Sequence, residues 1–237
     1  MNLNILVYFL VFLSNIFLMN YTIKTTNKTT KFSLLKIFLL NFILVVLEII
    51  GLFLSIKRHG VSVFVFYTEL SNYFSLATSV LVCALCIYSL TKGQPLHKIA
   101  FYLRFASTTF LTLTFTVSFF ILVPLKPAIL PFMLYQGSSL YHHLLCPVIS
   151  FFGYFAFEKN PFITGKTARN ATLFTFLYGY FISIFNAFKL IDGPYPFFSF
   201  YRYPLIFCLS LILGIFLLSF FISYLFYKLN EYLLKKR

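Results

Sequence analysis

The chain has 237 residues, of which 60% are hydrophobic, 22% aromatic and 10% charged. Soluble domains carry about 25% charge, so this composition lacks the polar surface to coat a soluble globule. The formal net charge of +14 comes from 19 Lys and Arg against 5 Asp and Glu. These basic residues are scattered through short connections, which suits anionic lipid headgroups and argues against a nucleic-acid-binding face.

Apolar runs near the ~20 residues that span a bilayer recur along the whole chain. A helix satisfies its own backbone groups in lipid, and no alternating pattern suggests a β-barrel. The expected fold is therefore all-α, a polytopic membrane helix bundle forming one domain over residues 1–237. Seven spans are predicted, roughly 3–20, 37–56, 62–90, 99–123, 139–157, 171–188 and 204–227, or six if the first does not cross. The first run has no basic flank and no small-residue cleavage site, so it is expected to be an anchor rather than a signal peptide. Breakers fall between the runs: Lys57-Arg58-His59-Gly60, Lys92-Gly93-Gln94-Pro95, Pro124 through Gly137, Asn160-Pro161 and Gly193-Pro194.

Charge sets an expected orientation. Loops 20–36, 91–98 and 158–170 and the tail hold 13 of the 19 Lys and Arg; the other side holds Lys57, Arg58, Lys126, Lys189 and Arg202. The positive-inside rule then puts the N-terminus outside, and residues 228–237 form a short basic cytoplasmic tail. Arg104, one turn inside its span, is expected to snorkel to the cytoplasmic face.

Within the spans, polar residues are few and expensive. Helix 2 carries Glu48. Helix 3 carries Thr68, Ser71, Asn72, Ser75 and Ser79 on one stripe, with Glu69 beside it. Such a stripe fits helix–helix packing as well as a site. Helix 5 carries His142 and His143 just before Pro147, in Leu-Tyr-His-His-Leu-Leu-Cys-Pro. A rise of ~1.5 Å per residue puts Glu48, Thr68, Glu69, Asn72, His142 and His143 in the outer half of the bilayer. The loop Asp192-Gly193-Pro194-Tyr195-Pro196-Phe197-Phe198 lies on the same side. It reads either as an interfacial aromatic anchor or as a stiff lid, with Asp192, Tyr195 and Pro196 at its rim. The hydroxyls of helix 4, Ser107 through Ser118, read as interhelical packing. Cys83, Cys86, Cys146 and Cys208 all sit in spans, and no second pair completes a zinc set. Cys146 shares a face with His143, so a Cys–His nucleophile is one option. No metal and no cofactor are expected.

Three of these stretches carry a resemblance. Phe-Tyr-Thr-Glu-Leu-Ser-Asn, His-His-Leu-Leu-Cys-Pro and Gly-Pro-Tyr-Pro-Phe-Phe resemble, in order, the motifs of bacterial relatives of the androgen-induced integral membrane proteins. The resemblance covers about residues 60–205. It implies an intramembrane hydrolase of fatty acid esters, with the threonine nucleophile falling on Thr68 and the histidine on His143. Gly193 stands where that family has an aromatic residue. Membrane lipids and a lipid ester are the partners implied, with no nucleic acid. On chemistry alone, a threonine needs a nearby base and the base an orienting group, for which Glu48, Glu69 and Asn72 are candidates and His142 and Cys146 neighbours. A proton-coupled or small-solute transporter relaying through Glu48, Glu69 and His143, and a non-catalytic structural protein, are the rival readings.

Overall fold

The computed structural model describes residues 28–236, with side chains from residue 31 onward. The first predicted span, Lys24, Arg237 and the expected external N-terminus lie outside the described residues. Seven helices carry the fold: α1 Lys28–His59, α2 Tyr67–Lys92, α3 Lys98–Leu125, a short α4 Leu130–Tyr135, α5 Gly137–Glu158, α6 Gly165–Ala187 and α7 Leu205–Lys235. The described residues contain no strand. Five of these helices, α1, α2, α3, α5 and α7, are long and apolar enough to cross a membrane. α6, at 23 residues, is as long but more polar. The protein is thus an all-α membrane helix bundle, and each predicted span from the second to the seventh is a helix.

Two boundaries differ from expectation. Helix α2 begins only at Tyr67, because residues Gly60–Val65 form a separate 3-10 turn. The basic stretch from residue 228 is helical, since α7 runs through it to Lys235. Lys228 and Lys235 flank Glu231 at 3.3 and 3.7 Å there, pairs one turn apart that favour helix.

Polarity is inverted relative to a soluble protein. Phe53, Ile206 and Phe221 are among many large apolar side chains on the outside, while Asn41, Glu48, Asn72, Arg104, His142 and Glu158 are buried. That is the arrangement expected where the solvent is lipid and polar groups must be satisfied inside. An aromatic stack joins α2, α3 and α6, with Phe110 centred 5.2 Å from Phe74 and 4.7 Å from Phe174. The helix-4 hydroxyls pack between helices as expected: Ser71 meets Thr114 at 2.8 Å, and Thr108 meets Ser150 at 2.9 Å.

The helices are not regular throughout. π turns occupy Ser118–Leu122 in α3 and both Leu140–Leu145 and Tyr154–Glu158 in α5. Two of them have a cause in sequence. Pro124 and Pro147 lack an N–H, so the carbonyls of Phe120 and His143 lose their usual i+4 donor. The helix widens over those turns, a geometry that recurs at functional sites. The widened turns carry Ser118, His142, His143 and Glu158, four of the buried polar residues.

Candidate functional site

The chain end that holds the turn at 60–65 and the loop at 188–204 gathers most of the predicted site. Thr68 is the second residue of α2, where the first backbone N–H groups have no intrahelical partner. Tyrosine hydroxyls supply the partners. Tyr178 accepts from Tyr67 N at 3.1 Å, and Tyr195 accepts from Thr68 N at 3.3 Å. The Tyr195 hydroxyl also donates to Thr68 Oγ1 at 3.4 Å. The Thr68 proton is thereby left available to a base. Burial pushes the Tyr195 phenol up to about 12, so it remains a donor across the physiological range.

Tyr195 reaches Thr68 because its loop is driven into the bundle. Phe197 and Phe198 are buried, and Tyr195 is packed between Phe66 and Phe197 at centroid distances of 6.0 and 5.1 Å. Gly193 permits the fold: a Cβ there would overlap the Phe198 carbonyl. The aromatic part of the loop thus packs into the bundle rather than against lipid. Pro196 opens its 3-10 turn, Pro196–Phe198. Asp192 stays at the surface, 3.9 Å from the exposed Arg202, and takes no part in the site.

Thr68 lines a cavity of about 260 Å3 with Thr114, Val117, Tyr178, Phe198 and Ile215. Ligand pockets run from about 300 to 1,000 Å3, so this one fits a single chain rather than a whole two-chain lipid. Its lining includes Phe176 and Tyr180 of α6 and Phe216 of α7. Phe176 and Tyr180 are half exposed on the outer face of the bundle. The cavity wall thus combines buried threonines, Thr68, Thr114 and Thr175, with side chains of α6 that reach the outer face of the bundle.

The two histidines take different places. His143 Nδ1 lies 2.7 Å from Ser118 Oγ, and its Nε2 has no hydrogen-bond partner among the described residues. No hydrogen bond joins Thr68 to a histidine there; the predicted direct pairing of Thr68 with His143 is not formed, since Tyr195 holds Thr68 and Ser118 holds His143. Ser118 was classed with the packing hydroxyls of its helix. Its neighbour Pro124 was the signal that α3 opens at that turn.

His142, expected as a mere neighbour, sits between two carboxylates. Its Nδ1 is 3.0 Å from Glu69 Oε2 and its Nε2 is 3.7 Å from Glu48 Oε2. Asn72 donates to the Thr68 carbonyl at 2.6 Å and to the His142 carbonyl at 3.2 Å, tying α2 to the π turn of α5. Ser75 and Cys146 lie against Glu48, while Ser55 and Tyr73 lie against Glu69. Gly51 lets α5 approach, because a Cβ there would run into the His142 ring. Glu48, Glu69, Asn72, His142 and Cys146 therefore converge as one cluster. Cys146 faces Glu48 and packs with Leu44 and Leu111, away from a nucleophile's position beside His143.

A second buried polar cluster lies at the opposite end. Arg104 does not snorkel; it is 1% exposed, with Nε 2.9 Å from Glu158 Oε2 and 3.1 Å from Oε1. Its Nη2 donates to Ser150 at 3.2 Å, and Asn41 donates to Glu158. Glu158 closes α5 rather than lying in a loop, which gives Arg104 a buried partner and removes its reason to snorkel. An acid and a base in mutual contact remain inside at a far lower cost than either alone.

Among the described residues, no three His, Cys, Asp or Glu side chains group as a metal ion would require. No protein-family model, curated protein or solved structure matches the chain.

Proposed function

We propose that the protein is an intramembrane hydrolase of lipid acyl esters, with Thr68 as nucleophile. One observation carries the reading: Thr68, held by Tyr195, lines an apolar cavity whose wall also includes the half-exposed Phe176 and Tyr180 of α6. A single acyl chain entering sideways would bring its ester carbonyl to the Thr68 hydroxyl. The motif resemblance to the androgen-induced integral membrane proteins supports the same residue. The charge asymmetry of the loops puts this site in the outer leaflet, with the C-terminus in the cytoplasm.

The roles follow from the hydrogen bonds. Thr68 Oγ1 attacks the ester carbonyl carbon, and its proton passes to His143 Nε2, the ring nitrogen left free by Ser118. Tyr195 turns its O–H from Thr68 to the carbonyl oxygen, where negative charge develops, and the Thr68 N–H released from Tyr195 faces the same atom. The alcohol leaves with the proton from His143. Water, deprotonated by the same ring, then cleaves the threonine ester and frees the fatty acid. The reading requires the Thr68 hydroxyl to leave Tyr195 and come within hydrogen-bond reach of His143 when substrate binds; catalytic hydrogen bonds commonly tighten at that step.

The test is turnover of a panel of long-chain acyl esters by purified protein in lipid nanodiscs, wild type beside Thr68→Ala. Cleavage lost in Thr68→Ala at an unchanged thermal midpoint is expected. Cleavage retained in that variant would remove Thr68 as nucleophile, and no cleavage by the wild type would remove the hydrolase.

A further inference from the structure

The cluster around Glu48 has more oxygen than the proposed hydrolysis uses. Glu48 is 1% exposed; Ser75 and Cys146 lie against its carboxylate, but neither oxygen receives a well-formed hydrogen bond among the described residues. Asn72 Oδ1, Ser75 Oγ and Ser79 Oγ are likewise buried and unpartnered. Their placement is not accidental to one side chain. Asn72, Ser75 and Ser79 follow at helical spacing along one stripe of α2, and Ser75 lies against the Glu48 carboxylate across the α1–α2 contact. Asn72 has no freedom to turn its oxygen elsewhere, since its NH2 is committed to the carbonyls of Thr68 and His142.

Charge adds a second argument. Glu69 and His142, 3.0 Å apart, are neutral as a unit whichever of them holds the shared proton. Arg104 is engaged by Glu158. The nearest basic nitrogen to Glu48 is His142 Nε2 at 3.7 Å, on the ring already paired with Glu69. Ionised Glu48 is then one uncompensated negative charge in a low-dielectric interior, which is costly without a counter-charge. Water would satisfy the hydroxyls and leave that charge. A divalent ion would leave the opposite one. Carboxylate, amide and hydroxyl oxygens are the ligands of hard cations.

We propose that Glu48, Asn72 and Ser75 bind one sodium-sized monovalent cation between α1 and α2; Ser79, two turns beyond Asn72, is too far along the helix to share it. The site stands apart from Thr68 and does not rest on the hydrolase reading. Its occupation ties Glu48 to the helix that carries Thr68, so the cation stabilises the bundle according to its concentration relative to Kd.

The experiment uses the full chain in detergent or nanodiscs, with sodium chloride exchanged for choline chloride at constant ionic strength. The expected result is saturable binding of radioactive sodium at one ion per chain, with a thermal midpoint that climbs with the logarithm of sodium concentration above Kd. Glu48→Gln abolishes both, and Ser75→Ala weakens sodium about tenfold, as the loss of one good oxygen contact would. If Glu48→Gln fails to fold, the wild-type comparison and Ser75→Ala still decide. Absence of sodium binding with identical midpoints in sodium and choline overturns the proposal. A midpoint indifferent to sodium but dependent on pH, and made pH-independent by Glu48→Gln, also overturns it, because a proton then serves as the counter-charge.

Discussion

The two buried polar clusters of this bundle are built on opposite plans. At one end Arg104 and Glu158 meet directly, and Ser150 of α5 and Asn41 of α1 add to the contact. At the other end Glu69 and His142 meet at 3.0 Å, yet both Glu48 oxygens, His142 Nε2 and the hydroxyls of Ser55, Ser75 and Tyr73 lack a well-formed hydrogen bond among the described residues. Both ends hold ionisable groups away from lipid. The first is closed by its ion pair and joins α1, α3 and α5 as a structural fastening should, with only Arg104 Nη1 and Asn41 Oδ1 of its atoms left unpartnered among the described residues. The second is open and adjoins the start of α2, where Tyr195 holds Thr68 in the wall of the proposed acyl cavity. Unsatisfied buried polarity is costly, and it persists in folded proteins chiefly where function uses it.

The comparison can be broken most severely at Thr68. If the open end is catalytic, Thr68→Ala lowers ester turnover by roughly a thousandfold or more, as removal of a nucleophile does, while stability moves little. Turnover assays paired with thermal melts check this. Tyr195→Phe keeps the ring packed against Phe66 and Phe197 and removes only the hydroxyl. Turnover should fall about a hundredfold, the usual scale for an oxyanion donor, with KM nearly unchanged. Ser118→Ala should cost roughly tenfold in kcat by freeing the His143 ring that general-base catalysis needs oriented. Its signature is a displaced pH–rate profile, which a packing defect would not give. The smallest effect is expected at Gly51→Ala. The added methyl meets the His142 ring, costing about 1–3 kcal/mol of stability as overpacking does, and denaturant unfolding would measure it.

Much of this was legible in the sequence, and what was not has a common cause. Hydrophobic run length is a property of each segment, so helices 2 through 7 could be read directly. The stripe from Thr68 to Ser79 and the aromatic–proline loop could also be read, because helical spacing and proline stiffness are local. Which residues meet across helices is not local. Arg104 was assigned to the surface because its partner Glu158 lies in another helix 54 residues away. His143 was paired with Thr68, and His142 set aside, because adjacent residues on a regular helix differ by about 100° and nothing in the spacing reveals a π turn. Pro147 was visible throughout. Its consequence, a widened turn that aims His142 at the carboxylates and His143 at Ser118, depends on the packing of α1, α2 and α3 around it.

The contrast between the closed and open ends is tested most directly by one pair of melts. Glu158→Gln and Glu48→Gln are made in the full chain and unfolded side by side in sodium-free choline buffer. Glu158→Gln leaves Arg104 buried and unpaired, and should lose about 3–5 kcal/mol, the usual penalty for breaking a buried pair. Glu48→Gln removes a charge that has no partner, and its stability should equal or exceed that of the wild type. Equal large losses in the two variants would contradict the account, because Glu48 would then be as much a structural fastening as Glu158.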